Sequence, residues 1–123
     1  MSSEPTHIAV FGPGLMGTSL LMALREKNPA AKLSVWGRRE EAVREMMRRG
    51  LSDKGSTDAK EVVHGTDTVV LCVPVDHMEE VGSSIAPHVG TDTVVTDAGS
   101  TKEKLVSRLE KNFATHRNFV GSH

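Results

Sequence analysis

The run Phe11-Gly12-Pro13-Gly14-Leu15-Met16-Gly17 constrains this chain more than any other stretch. Ahead of it, His7-Ile8-Ala9-Val10-Phe11 is short and apolar, as a buried strand is. Behind it, Leu15 to Asn28 carries Met16, Leu20, Leu21, Ala23 and Leu24 at helical spacing. A G-x-G-x-x-G run between a strand and a helix has the context of a dinucleotide-binding turn. The residue types have physical reasons. Gly12 permits a tight turn, Gly14 lets the backbone approach a pyrophosphate, and Gly17 lets the helix pack close to the strand. The helix N-terminus then presents unpaired N–H groups and a positive dipole end to phosphates. The alternative, a glycine-rich turn with no ligand, leaves the flanking pattern unexplained.

The rest of the chain repeats the alternation. Lys32 to Trp36 reads as a second strand. Glu40 to Arg49 reads as a helix with Ala42, Val43, Met46 and Met47 on one face and Gly50 closing it. Leu51 to Thr57 reads either as a short edge strand or as a loop. Asp58 and Glu61 open a short helix. Thr68 to Val73 is nearly all apolar, as a strand covered on both faces of a parallel sheet should be, and Pro74 ends it. Asp76 and Glu79 start a helix with Met78, Val81 and Ile85 inside. Thr91 to Asp97 reads as a strand, Ser100 to Asn112 as a helix, and Arg117 to Val120 as the start of another strand. Strands alternating with helices and joined by short turns predict a doubly wound parallel α/β sheet, with residues 1–123 as one dinucleotide-binding domain.

Composition narrows the partners. Fifteen Lys and Arg against sixteen Asp and Glu give a formal charge of −1, and no basic stripe points to nucleic acid or an anionic membrane. No apolar stretch reaches membrane-spanning length, and the first six residues lack the pattern of a signal peptide. Cys72 is the only cysteine and sits in the apolar run Val69–Val73, which suggests a buried thiol and a reducing compartment. No Cys, His and carboxylate cluster has metal-site spacing. The expectation is a soluble, cytoplasmic protein without a metal. His7, His64, His77, His88 and His116 read as surface or packing residues.

The second strand ends in Val35-Trp36-Gly37-Arg38-Arg39, with no carboxylate before Glu40. In a dinucleotide-binding unit an acidic residue near this point takes the ribose hydroxyls. Two guanidiniums there suit a 2′-phosphate, or stack on adenine. As plain surface residues they would oppose the dipole of the helix they precede. The preferred cofactor is therefore NADP, with NAD as the alternative, since Glu40 could also reach a ribose hydroxyl.

Two further stretches lie where open α/β sheets hold their ligands, past the carboxyl ends of strands. One is Val73-Pro74. The other is Asp97-Ala98-Gly99-Ser100-Thr101-Lys102, and the chain closes with Phe119-Val120-Gly121-Ser122-His123. Together with the glycine run, the D-x-G-S-x-K and F-V-G-x-H elements resemble the prephenate/arogenate dehydrogenase family along essentially the whole chain.

The resemblance implies an oxidative decarboxylation. A hydride passes from the hydroxyl-bearing ring carbon of prephenate or arogenate to nicotinamide, the ring carboxylate leaves as carbon dioxide, and the ring becomes aromatic on the route to tyrosine. It places the proton-accepting role on His123, a side chain suited to it, and a hydroxyl-binding or histidine-orienting role on Ser100. Ser100 is also the first residue of a capping box with Glu103, so helix capping is its other role. The implied cofactor residues are Gly12, Pro13, Gly14, Leu15, Met16, Gly17, Arg38, Arg39, Val73 and Pro74. In the family a helical domain that forms a homodimer and closes the substrate site follows the histidine, so the sequence reads as a piece of that enzyme and is expected to turn over little or no substrate by itself. Two other readings use the same glycine turn. One is a dehydrogenase of the hydroxyacid or glycerol-phosphate type; the other is a non-catalytic NAD(P)-sensing module, which has no use for Ser100 and His123 together.

Overall fold

The computed structural model describes residues 7–90, 93–97 and 119–121. Ser100, Lys102, His116, Ser122 and His123, and the expected helix from Ser100 to Asn112, lie outside them. Among the described residues six strands and four helices alternate. They are β1 (His7–Phe11), α1 (Leu15–Lys27), β2 (Lys32–Trp36), α2 (Glu40–Arg48), β3 (Lys54–Ser56), α3 (Ala59–Val63), β4 (Thr68–Leu71), α4 (Val75–Ile85), β5 (Val94–Asp97) and β6 (Phe119–Gly121), with a single 3₁₀ turn at Ala86–His88 after α4.

All pairings are parallel, in the order β3-β2-β1-β4-β5-β6. The chain winds outward from β1 through β2 to β3, then returns to the other side of β1 as β4. The order therefore reverses between β1 and β4, which is the topological switch point of an open α/β sheet. Residue alternation along β1 divides the core in two. Ile8 and Val10 pack with Leu21 of α1 and Val43 and Met46 of α2 on one face. Ala9 and Phe11 pack with Val62 and Val63 of α3 and Met78, Val81 and Ile85 of α4 on the other. The doubly wound arrangement expected from the alternation is thus present.

Local signals explain most boundaries. Past Arg48, Gly50 adopts φ 74, its N–H donates to the Met47 carbonyl at 3.0 Å, and that of Leu51 donates to Met46 at 3.0 Å. This pair of bonds closes the carbonyl end of α2 as a Schellman motif. Asp58 caps α3 by accepting from the Lys60 N–H at 3.1 Å. The segment Leu51 to Thr57 contains a three-residue edge strand, β3.

Four expectations need correction. β4 stops at Leu71 rather than Val73, because its partner β1 ends where Gly12, at φ 115, turns the chain away. Cys72 consequently leaves the sheet interior and is half-buried, not buried. Helix α4 begins at Val75 with Pro74 as its N-terminal boundary, one residue before Asp76. On α1, Met16 and Ala23 face outward; only Gly17 and Leu21 are buried, and Met16 is 54% exposed.

Candidate dinucleotide site

The carboxyl ends of β1, β2 and β4 lie in register, with Phe11 opposite both Trp36 and Leu71. Two bonds beyond the ladder tie these ends together. The Gly12 N–H donates to the Trp36 carbonyl at 2.8 Å, and the Cys72 N–H to the Phe11 carbonyl at 2.7 Å. Above this edge is a cavity of about 680 Å³ lined by residues from all three turns. The first turn contributes Gly12, Pro13, Gly14, Leu15 and Met16; the second contributes Arg38 and Arg39; the third contributes Cys72, Val73 and Pro74. Trp36, Ala42 and His77 complete the lining.

Each glycine of the first turn does a different task. A Cβ on Gly12 would lie 2.6 Å from the Cys72 carbonyl oxygen, so the turn and β4 could not approach as they do. A Cβ on Gly17 would lie 1.8 Å from the Gly12 carbonyl oxygen. Gly17 is buried between helix and strand and does not line the cavity; its part is to let α1 dock. A Cβ on Gly14 would meet nothing within 4 Å. The space in front of Gly14 is open, on the cavity side, at the N-terminus of α1. That terminus has no side-chain cap and no acidic residue in its first turn. Its first N–H groups are without helical partners by construction, and an anion is the partner that such a terminus accepts. The turn, the open space and the uncapped dipole together fit the pyrophosphate of a dinucleotide.

The second turn supplies charge. Arg38 and Arg39 both line the cavity, and no carboxylate does among the described residues. Glu40, which the sequence left able to reach a ribose, instead accepts a hydrogen bond from Arg44 one turn along α2. Arg38 is 53% exposed at its side chain and reaches across to α4, where Nη2 donates to His77 Nδ1 at 2.7 Å and lies 3.5 Å from Glu80 Oε1. His77, read from sequence as a surface or packing residue, is therefore part of the cavity wall. Trp36 is held by stacking on Phe11, with ring centroids 5.4 Å apart, and by an indole N–H bond to the Thr57 carbonyl at 2.9 Å. His7 is the packing residue expected: Nε2 lies 2.7 Å from Ser34 Oγ and Nδ1 lies 3.1 Å from the Gly65 carbonyl, far from the cavity.

Residues 20–123 match the model of the nucleotide-binding domain of prephenate dehydrogenase. The chain belongs to the prephenate dehydrogenase family. Within that family it is 34% identical over 111 residues to the cyclohexadienyl dehydrogenase of Zymomonas mobilis, an alignment covering 89% of this chain and 38% of the relative. Its fold is similar to that of prephenate dehydrogenase from A. aeolicus in complex with hydroxyphenyl propionate and NAD+, with a TM-score of 0.90 and 28% identity over all of this chain and 43% of that one. It is similar also to Synechocystis arogenate dehydrogenase, with a TM-score of 0.86 and 25% identity over 95% of this chain and 40% of that one. The chain thus spans about two-fifths of the length of these relatives, and it is the NAD(P)-binding portion of the family's fold.

Among the described residues no group of three or more His, Cys, Asp or Glu side chains could hold an ion, and no helix is long and apolar enough to cross a membrane.

Proposed function

We propose that this chain is the cofactor-binding part of a cytoplasmic dehydrogenase that oxidatively decarboxylates prephenate or arogenate, with NADP preferred over NAD. In this reading Gly12 to Met16 hold the pyrophosphate, and Val73 and Pro74 form the far wall of the adenosine half. Arg38 and Arg39 grip the 2′-phosphate. The observation that carries the cofactor preference is the pair of guanidiniums in a cavity wall to which no carboxylate contributes among the described residues. Dimer formation and closure over the substrate belong, by the family resemblance, to the portion of the relatives that this chain does not span.

A bound nicotinamide supplies the hydride acceptor. This chain's own residues supply the proton acceptor and a hydroxyl partner beside it. His123 accepts the proton of the substrate hydroxyl on an imidazole nitrogen, and Ser100 donates a hydrogen bond that orients the reacting oxygen. The electron pair released with carbon dioxide completes the aromatic ring and leaves the ring oxygen as a phenolate, to which His123 returns the proton it accepted. The strand register supports these roles: Leu71 stands opposite Asp97, and Asp97 opposite Gly121. Ser100 and His123 follow Asp97 and Gly121 closely in sequence, past strand ends level with the cavity edge. A module that only senses nucleotide has no need of Ser100 and His123 together.

The test is a titration with NADPH and NADH followed by Trp36 fluorescence, since Trp36 lines the cavity. NADPH should bind more tightly, and replacing both Arg38 and Arg39 by Ala should weaken it by about ten- to hundredfold, as expected for lost charge-assisted bonds. Equal or tighter NADH binding by the unaltered chain would overturn the preference. In the enzyme containing this domain, His123→Asn should remove turnover while leaving nucleotide affinity in place. Retained turnover would overturn the role of His123.

A further inference from the structure

Arg38 does not stand alone at the cavity mouth. His77 and Glu80 are three residues apart on α4, so they share one face of that helix, and that face is turned to the second turn across the adenosine half of the cavity. His77 Nδ1 accepts from Arg38 Nη2 at 2.7 Å, while Glu80 Oε1 lies 3.5 Å from the same nitrogen. A carboxylate missing from the end of β2 is thus supplied by a different helix, facing the guanidinium that a 2′-phosphate would need.

We propose that Glu80 is a specificity-determining residue, competing with the 2′-phosphate of the cofactor for Arg38, with His77 as the positioning residue that holds the guanidinium at the mouth. The inference rests on the cofactor site proposed above. With NAD the Arg38–Glu80 pair stays closed and its charges are matched. With NADP the phosphate displaces the carboxylate, and the guanidinium keeps enough of its five donors to serve both phosphate and His77. The glycine turn accepts either nucleotide. The balance between them is then set by the strength of one solvent-exposed ion pair, which is weak and easily exchanged.

The adenosine half can be isolated by calorimetry with adenosine 2′,5′-bisphosphate and 5′-AMP, whose affinity ratio reports the 2′-phosphate alone. Glu80→Gln should raise that ratio by about two- to fivefold, the scale of one exposed charge pair, with 5′-AMP affinity unchanged. In an Arg38→Ala background the same substitution should leave the ratio unaltered. His77→Ala should lower the ratio, and His77→Gln, which keeps an acceptor, should restore part of it. An unchanged ratio in Glu80→Gln, alongside a ratio that falls in Arg38→Ala, would overturn the role of Glu80 and leave the arginine site standing. A Glu80→Gln effect that persists without Arg38 would mean direct repulsion of the phosphate and would overturn the competition. A ratio unaffected by Arg38→Ala would remove the arginine site and this inference with it.

Discussion

The N-termini of α1 and α3 face the same problem and solve it in opposite ways. Each leaves backbone N–H groups without helical partners. At α3 the Asp58 carboxylate accepts one of them at 3.1 Å, and Glu61 places a second negative charge in the first turn. At α1 the boundary residue is Gly14, with no side-chain cap and no acid in the first turn. Beyond Gly14 there is open space, and around it a wall of apolar and cationic side chains. Leu15 is 88% exposed at this mouth. The difference separates a terminus completed by the fold from one left for an anion. It also locates the cost of the site: the binding turn forgoes the local stabilisation that Asp58 gives to α3.

The contrast can be broken most sharply at Gly17. Gly17→Ala places a methyl carbon on the Gly12 carbonyl oxygen, so α1 must move off the sheet. We expect a loss of about 3 kcal/mol or more, at the upper end for overpacking, read as a lower thermal midpoint together with lost nucleotide binding. A variant of unaltered stability would show that the close helix–strand contact does not hold the turn. Next in size is Asp58→Ala, which removes a cap worth about 1 kcal/mol. It should lower stability in urea unfolding while leaving nucleotide affinity at its original value. A matching loss of affinity would mean that the two termini are not independent.

The smallest effect concerns His7, at the amino edge of the sheet. Burial lowers its pKa below the ordinary 6.5, opposed by the bond to the Gly65 carbonyl and assisted by Lys32 and Lys54, with Asp67 acting in the raising direction. The folded protein therefore resists a proton that the unfolded chain accepts. The stabilisation is complete above pH 6.5 and is lost as pH falls from there through the lowered folded value. His7→Gln should flatten that part of the stability profile without changing nucleotide binding at pH 7.5. A profile unchanged by the substitution would assign the acid sensitivity elsewhere.

What the sequence made legible follows from how local each signal is. The glycine turn, β2 and the closing Gly50 of α2 are written in adjacent residues, and the structure places them accordingly. The end of β4 is not local. An apolar run records burial, whereas pairing stops where β1 turns away at Gly12. Met16 has helical spacing but no element among the described residues covers it, because the first turn of α1 stands at the cavity mouth. His77 and Glu80 look like ordinary helix-surface residues until α4 is placed against the second turn. The one available signal was their shared helix face, three residues apart, and it does not name a partner. Arg38, Arg39, Val73 and Pro74 were legible because strand ends in a parallel sheet converge by topology alone.

Gly14 offers the most direct test, because it lies on the binding side of the contrast and nowhere else. In Gly14→Ala the added methyl group meets nothing within 4 Å beyond its own chain neighbours among the described residues, and the φ of −76° is open to any residue. One sample of this variant should be measured for thermal unfolding and for NADPH binding through Trp36 fluorescence. Its stability should lie within about 0.5 kcal/mol of the unaltered chain and its affinity should be at least tenfold weaker, since the methyl group occupies the approach of the pyrophosphate. Undiminished NADPH binding in a fully folded variant would contradict the placement of the dinucleotide on this turn.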